Sequence, residues 1–430
     1  MTEFQFPASF LWGSATSAHQ VEGNNSNNDW WAWEQAHRVK EPSGRACEQY
    51  QRFEHDFDLA KELHHNAHRF SIEWSRIEPR EGERDEAAIA HYRQMVAALR
   101  ERGMEPIVTL HHFTNPQWLL AKGGWTSPKV VDLFARYTRW VVEALGDVRY
   151  WLTINEPLVY SNIHYFDGTG PPGVRNVGQG FLVIEHLARA HGAAYRVIHD
   201  HARAASREVM VSFAHHTQPF LPCKPWWIGD RLIAEETQRV YNHRMLETLT
   251  EGSLRLPGRP TARLQEAANT LDFLGFNYYG RIFLRLGFSG FTQWLGARCS
   301  TRHHREVIER NALEWDVYPP GIYDVLQWAK PYQRPVLITE NGICTNDDTQ
   351  RERFIIRHVQ WVARAAQEGL PVMGYLYWSL LDNFEWAEGY GPRFGLIEMD
   401  YTTQQRTIRP SARRFGEICR TNAIALDTNS

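Results

Sequence analysis

The chain has 430 residues, a formal net charge of −3, and an aromatic-rich composition that includes 17 Trp and 17 Tyr. This charge balance gives no electrostatic case for a nucleic acid or an anionic membrane as a partner. The opening residues MTEFQFP lack both a basic region and an unbroken apolar run, and no long uncharged apolar stretch follows, so neither a signal peptide nor a membrane span is predicted.

Strand-like segments alternate with amphipathic helical patterns along the chain. Strands are predicted at 10–16, 67–74, 105–112, 149–156, 208–215, 271–278, 335–340 and 372–379. Helices are predicted at 85–102, 128–145, 181–204, 230–250, 321–329 and 350–367. Eight largely apolar strands joined by helical crossovers indicate a parallel sheet that is covered on both faces and closes into a barrel. The extra length after the first and sixth strands predicts long loops.

Nothing in the sequence divides the chain into separate domains. Its length would suit two or three average domains, but α/β barrels of this size often form one. No Ser/Gly-rich or Pro-rich linker, low-complexity tract or repeat interrupts the pattern. We therefore expect an α/β fold, a single (β/α)8 TIM barrel with extended loops on the C-terminal face of the strands, as one domain over residues 1–430.

Two glutamates, Glu156 and Glu340, end apolar strand-like runs, YWLTINE at 150–156 and PVLITE at 335–340. A carboxylate at the tip of a buried strand is either unfavourable or functional. Other polar and aromatic residues lie at the same ends of separate strands, where a barrel would bring them together: His112, Asn155, Asn277, Tyr279 and Trp378. Singly, each could cap a loop or pair with a buried arginine. Together they favour a two-carboxylate active site.

The histidines and cysteines form no recognisable metal motif. His64 and His68 have HxxxH spacing, but a strand is predicted to begin between them, and adjacent histidines on a strand face opposite ways. No glycine-rich phosphate loop follows the first strand. We therefore expect no metal and no cofactor. The five cysteines are scattered and lack CxxC spacing, which favours reduced thiols over disulfides and a cytoplasmic location: Cys47, Cys223, Cys299, Cys344 and Cys419.

Four motifs occur in order along the chain: FPASFLWGSATSAHQVEG at 6–23, TINEP at 153–157, ITENG at 338–342 and WSLLDNFEW at 378–386. They resemble the signatures of glycoside hydrolase family 1, and the match runs from about residue 4 to about residue 420 without a missing block. The resemblance implies a retaining β-glycosidase, whose two carboxyl groups lie roughly 5 to 5.5 Å apart. It also implies that Glu156 is the acid/base and Glu340 the nucleophile.

The same resemblance implies which residues surround the two glutamates. Arg69 and the hydroxyl of Tyr279 are expected to stabilise the ionised Glu340. Asn155 would bind the 2-hydroxyl of the sugar, where hydrogen bonds tighten in the transition state. The further residues expected to bind substrate are Gln20, His112, Asn277, Trp315, Trp378, Glu385 and Trp386. Without the motifs, Gln20 would be interpreted as an ordinary polar residue and Trp386 as a core aromatic residue.

Three local features bear on the sugar. Family members that act on 6-phosphorylated sugars carry a serine and a downstream lysine where this chain has Glu385 and Trp386, and an acidic residue there would repel a phosphate. The thioglucosidase members that lack the acid/base have glutamine at the position of Glu156, whereas this chain keeps the glutamate. Phe113 stands where many relatives have tryptophan, so the indole donor to the 3-hydroxyl is missing, and His19 replaces a common tyrosine nearby.

The sequence therefore predicts an exo-acting retaining enzyme for terminal non-reducing β-D-glucosyl residues, with β-galactosyl and β-fucosyl residues as further candidates. The reaction would be a double displacement through a glycosyl-enzyme intermediate, which transglycosylation would share. The alternative is a non-catalytic sugar-binding relative, but such proteins usually lose one catalytic glutamate and neither is lost here. The expected partner is a small-molecule β-glycoside or oligosaccharide, with no nucleic acid or membrane; the sequence does not predict the oligomeric state.

Overall fold

A closed barrel of eight parallel strands lies at the centre of the computed structural model, which describes residues 2–287 and 296–426. In chain order its strands are β1 (Leu11–Ala15), β2 (Ala67–Ser71), β3 (Glu105–His111), β4 (Tyr150–Asn155), β5 (Met210–His216), β6 (Leu274–Tyr278), β7 (Val336–Asn341) and β8 (Val372–Trp378). Each strand pairs with the next, and β8 pairs with β1. The prediction of a (β/α)8 barrel is confirmed.

Helices accompany the strands. Those of seven or more residues are Asp29–Gln35, Gln49–Glu62, Glu86–Glu101, Val130–Leu145, Val177–Ala204, Ile228–Gln238, Arg244–Glu251, Pro320–Trp328, Asp348–Gln367 and Pro410–Thr421. The shorter α-helices are Ala18–Val21, Trp74–Ile77, Gln117–Leu120 and Pro157–Ser161. Short 3₁₀ turns lie at Gly124–Thr126, Gln265–Ala267, Thr301–His303, Lys330–Tyr332 and Trp386–Glu388. None of the helices in the described ranges is long and apolar enough to cross a membrane.

Local sequence explains where these helices begin and end. Glu86–Glu101 begins where the Asp85 carboxylate accepts hydrogen bonds from the backbone amides of Ala87 and Ala88. It ends before Gly103, whose φ of 71° suits a residue without a side chain. The prediction of a single helix at 230–250 is wrong in detail, because a π-helical turn at Arg239–His243 separates two helices there. A second π-helical turn lies at Asn162–Phe166.

The two ends of the barrel differ in polarity. Apolar side chains, among them Ile107, Leu152, Leu337 and Leu376, form a buried cluster within the barrel. Polar side chains concentrate instead where the strands end. There, a Cβ atom at Gly342 would lie 1.8 Å from the carbonyl oxygen of Trp378, so only glycine lets the chain after β7 pass this close to the end of β8.

Short strands outside the barrel form small sheets. Thr2–Gln5 pairs with Ala423–Leu426, Ser253–Leu254 with Ala262–Arg263, and Ile397–Met399 with Arg406–Ile408. A three-stranded sheet is made of Phe220–Pro222, Ile282–Arg285 and Ala297–Arg298. Two of its strands follow β5 and β6 directly, so this sheet extends from the end of the barrel that carries the polar residues.

A disulfide joins Cys223 to Cys299 at this three-stranded sheet. The prediction that all five cysteines are reduced is therefore wrong for these two. They are 76 residues apart in sequence, and it is the pairing of the sheet strands that brings them together. Cys47, Cys344 and Cys419 are free, as predicted, and they are buried.

Candidate active site

The ends of the barrel strands enclose a cavity of about 950 Å³. Most of the residues predicted to form the site line it: Gln20, His112, Asn155, Glu156, Tyr279, Trp315, Glu340, Trp378, Glu385 and Trp386. Two predicted residues, Arg69 and Asn277, do not line the cavity but lie behind it, each in contact with one of the glutamates. The predicted residues are thus brought together.

Glu340 is held by two charge-stabilising donors. Arg69 Nη1 donates to Oε1 over 2.6 Å, and the hydroxyl of Tyr279 donates to Oε2 over 2.6 Å. Arg69 is itself fixed, because it also donates to Thr109 Oγ1 at 3.0 Å and to Asn155 Oδ1 at 2.7 Å. Burial raises the pKa of Glu340, but Arg69 and Tyr279 oppose that effect by favouring the carboxylate.

Glu156 has a different environment. Its Oε1 accepts a hydrogen bond from Asn277 Nδ2 at 2.8 Å, and no arginine in the described part of the chain donates to it. Burial raises the pKa of Glu156 to about 8, with the charge of Glu340 as the second cause. Of the two neighbouring carboxyl groups, Glu156 is therefore the one that carries the proton at neutral pH.

Asn155 and Asn277 link the groups around the two glutamates. Asn277 donates to Asn155 Oδ1 at 3.2 Å, and its own Oδ1 accepts from the hydroxyl of Thr339 at 2.6 Å. Asn155 Nδ2 lies 3.2 Å from Nε2 of His112. Burial lowers the pKa of His112, so its imidazole is neutral. Its Nδ1 is buried and has no hydrogen-bond partner within residues 2–287 and 296–426.

At the far end of the cavity, Gln20 and Glu385 are adjacent. Gln20 Nε2 donates to the carbonyl oxygen of Phe384 at 2.8 Å and lies 3.4 Å from Glu385 Oε2. Burial, followed by the charge of Glu340, raises the pKa of Glu385 to about 8. The Trp378 indole forms an aromatic surface here, with its ring 5.8 Å from that of His112 and 17° from parallel.

Several residues that line the cavity have left-handed backbone conformations, as do residues elsewhere in the chain. Phe113, Glu156 and Trp386 all have positive φ values, of 72°, 46° and 49°, although none is glycine. Such conformations are uncommon for large side chains and often mark functional sites. The Phe113 ring lies 5.4 Å from the Trp386 ring, so the predicted departure at position 113 lies beside one of the residues that the sequence predicts to bind substrate.

Apolar side chains also line the cavity. They include Leu158, Val159, Ile163, Ile184, Phe220 and Tyr241, and Trp315 lines it with 39% of its surface exposed. His216 also lines the cavity; its Nδ1 lies 2.7 Å from the Tyr241 hydroxyl and its ring stacks near that of Tyr279. The sequence reasoning missed His216 because it ended the fifth strand at 215, one residue early. A correct strand end would have identified it.

Comparisons with known proteins agree with this architecture. The family model for glycosyl hydrolase family 1 matches residues 2–424. The structure is similar to the β-glycosidase from Pyrococcus horikoshii, with a TM-score of 0.92, 39% identity, and coverage of 99% of this chain and 97% of that one. In sequence, the chain is 31% identical to β-glucosidase A of Thermotoga maritima, and the alignment covers 98% of this chain and 99% of that protein. It is also 31% identical to a β-galactosidase of Pyrococcus woesei, with 97% of this chain and 98% of that protein covered.

Proposed function

Because this chain belongs to glycosyl hydrolase family 1 and is a β-glycosidase, we propose that it retains the anomeric configuration, with Glu340 as the nucleophile and Glu156 as the acid/base. The observation that carries the proposal is the asymmetry between the two carboxyl groups. Glu340 is hydrogen-bonded to Arg69 and Tyr279, whereas Glu156 contacts a neutral amide and has a pKa raised to about 8. The surroundings of Glu340 thus favour attack as a carboxylate, and those of Glu156 favour donation of a proton.

In the first step, the Glu340 carboxylate attacks the anomeric carbon while Glu156 transfers its proton to the departing glycosidic oxygen. Positive charge develops on the sugar ring, and the negative charge of Glu340 stabilises it. As the ester forms, Glu340 loses its charge, and the pKa of Glu156 falls because the repulsion that helped to raise it disappears.

In the second step, Glu156 acts as a base. Now ionised, it removes a proton from a water molecule that attacks the anomeric carbon, and Glu340 leaves as a carboxylate. Two inversions give net retention. A sugar hydroxyl in place of water would give transglycosylation through the same intermediate.

The cavity beside the glutamates supports exo-action on a terminal sugar. Gln20 is fully buried and Glu385 is adjacent to it, so the cavity is closed at this end and offers polar groups to sugar hydroxyls. We propose that Trp378 packs against the face of the sugar ring and that Asn155, which is held in place by a hydrogen bond from Arg69, binds the 2-hydroxyl. His112, Asn277, Trp386 and, on the leaving-group side, Trp315 complete the proposed substrate contacts.

The sugar specificity follows from Glu385 and is tested by kcat/KM values on 4-nitrophenyl β-D-glucoside, β-D-galactoside, β-D-fucoside and β-D-glucoside 6-phosphate. We expect the glucoside to be hydrolysed best, and the 6-phosphate at least about 100-fold less well, because its dianion would lose water of hydration beside the Glu385 carboxyl group, which offers it no positive charge. The Glu385→Gln variant serves as the control, since it should narrow the gap between glucoside and phosphate. Comparable values for both substrates in the unmodified enzyme would contradict the assignment.

The raised pKa of Glu156 predicts an alkaline limb in the pH profile of kcat/KM. Glu156 must be protonated in the free enzyme, so kcat/KM should fall about tenfold per unit as the pH rises above about 8. The folded protein also binds this proton more tightly than the unfolded chain, whose glutamate pKa is near 4.5, so the contribution of Glu156 to stability declines as the pH rises between these values. Activity that stays level to pH 10 would show that Glu156 is not the acid.

We further propose that residues 1–430 act as one catalytic domain and need no cofactor, and that the domain works in the cytoplasm, where cellular thiols would reduce the Cys223–Cys299 bond. The alternative of a non-catalytic sugar-binding relative is disfavoured, because both glutamates are present with distinct hydrogen-bond partners. Cell fractionation and activity measured after treatment with a chelator test the location and the independence from cofactors.

A further inference from the structure

A second cluster of reactive side chains lies in the wall of the cavity, apart from the two glutamates. Its members are Cys223, Cys299 and His304, whose ligand atoms all lie within 4.8 Å of one another. Cys299 lines the cavity, and the three-stranded sheet positions both cysteines: the Cys223 amide donates to the carbonyl oxygen of Leu284, and the Cys299 amide to that of Phe283. The sheet backbone therefore keeps the two cysteines next to each other without depending on the disulfide.

His304 is the unusual member of this cluster. It is 7% exposed, and its Nε2 is buried without a hydrogen-bond partner among the described residues. An unpartnered buried polar atom is unfavourable and calls for a physical explanation. Its ring is held rigidly, stacked on Phe283 with 3.7 Å between centroids and 12° between planes.

The other nitrogen of His304 has an acidic neighbour. Nδ1 lies 3.4 Å from Oε1 of Glu306. Histidines that bind a metal through one nitrogen usually pair the other with a carboxylate or carbonyl group, which orients the ring and makes the free nitrogen a better ligand. One cation on this side, Arg281, stacks on Phe283 but is paired with Asp316, so its charge is compensated.

We propose that reduction of the Cys223–Cys299 bond opens a binding site for a thiophilic divalent cation such as Zn²⁺, with the two cysteine sulfurs and His304 Nε2 as ligands. Two thiolates and one imidazole form a ligand set that zinc favours, and its fourth position remains open to water. Two molecules of a thiol reduce the bond, leave as their own disulfide, and give their two protons to Cys223 and Cys299. Cation binding then releases both protons to solvent.

This site would couple the redox state to the cavity wall. With the disulfide intact, the sulfurs are bonded to each other and the cation is excluded. With the cation bound, the sulfurs must separate to roughly 3.8 Å, the spacing of two ligands about 2.3 Å from one tetrahedral zinc. Ser300 and Thr301, which follow Cys299 in the chain and also line the cavity, would move with it. The proposal does not depend on the roles of Glu156 and Glu340.

The test measures metal content and needs no activity assay. The full chain is reduced with a trialkylphosphine, which takes oxygen from water as it reduces the disulfide, and is then loaded with Zn²⁺, desalted and analysed by mass spectrometry for zinc. We expect one zinc per reduced chain and none in the oxidised protein. Cd²⁺ replaces Zn²⁺ in a parallel sample, where thiolate coordination produces a new ultraviolet charge-transfer band.

Matched variants locate the ligands. The double variant Cys223→Ser, Cys299→Ser should retain no zinc and show no cadmium band, and His304→Ala should bind zinc at least about tenfold more weakly. Cys419→Ser and His303→Ala, which remove a buried cysteine and an exposed histidine elsewhere, should bind as the unmodified chain does. If the double variant does not fold, the cadmium band of the unmodified chain and its weakening in His304→Ala decide the question. Absence of zinc from the reduced unmodified chain, or unchanged binding in His304→Ala, would overturn the proposal.

Discussion

Replacing Glu340 with glutamine is expected to lower kcat/KM for an aryl β-glucoside by at least about 10⁴-fold. The amide cannot attack the anomeric carbon, and its neutral charge no longer stabilises the developing positive charge of the sugar ring. It also leaves Arg69 as a buried cation whose carboxylate partner is gone. The loss should therefore be equally large for substrates with good and poor leaving groups.

The control for this variant is Glu417→Gln. Glu417 is a partly exposed glutamate that pairs with Arg420 on the C-terminal helix and does not line the cavity, so its replacement tests the chemistry of the substitution without touching the site. We expect activity close to that of the unmodified enzyme, with surface pairs of this kind worth only about 0–1 kcal/mol. Activity in Glu340→Gln that matched the control would exclude Glu340 as the nucleophile.

Replacing Glu156 with alanine is expected to have an effect that depends on the leaving group. For an alkyl glucoside, whose departing oxygen must be protonated, kcat/KM should fall by about 10²–10⁴-fold. For a dinitrophenyl glucoside, which leaves without a proton, kcat/KM should change by less than about tenfold. The alkaline limb near pH 8 should disappear with that substrate, because the group responsible for it has been removed.

Azide separates the two roles of Glu156. In the Glu156→Ala variant no base activates water, so the glycosyl-enzyme accumulates and kcat is low even with a good leaving group. Azide is a small anion that needs no base and fits the space left by the carboxylate. It should raise kcat and yield a β-glycosyl azide. An equal loss for alkyl and dinitrophenyl substrates, with no effect of azide, would rule out Glu156 as the acid/base.

The barrel could be predicted because its signals are local. Each strand is a short apolar run, and a helical pattern with a cap or a terminal glycine follows most of them, as at Asp85 and Gly103. The positions of Glu156 and Glu340 at the ends of two runs then place both carboxyl groups at one end of the barrel. Their assignment to two roles came from the family motifs, and the hydrogen bonds of Arg69 and Tyr279 supply a physical reason for it.

The features that were missed depend on contacts between distant segments. The Cys223–Cys299 bond requires a sheet whose strands lie far apart in the sequence and have no clear periodic pattern. The break in the predicted helix at 230–250 is a π-helical turn, whose residues differ little in helix propensity from their neighbours. The apolar side chains that line the cavity come from helices and strands outside the barrel, as with Ile184 and Phe220, and they carry no common motif.

The central claim is that Glu340 forms a covalent bond to the sugar, and trapping this bond tests it most directly. A 2-deoxy-2-fluoro-β-glucosyl fluoride slows both steps but has a leaving group good enough to form the ester, so the intermediate should accumulate. Mass spectrometry of the intact chain should show the addition of one fluoroglucosyl group, and the digested protein should carry it on the peptide that contains Glu340. An enzyme that turns over aryl β-glucosides yet carries no label, or carries it on another residue, would contradict the account.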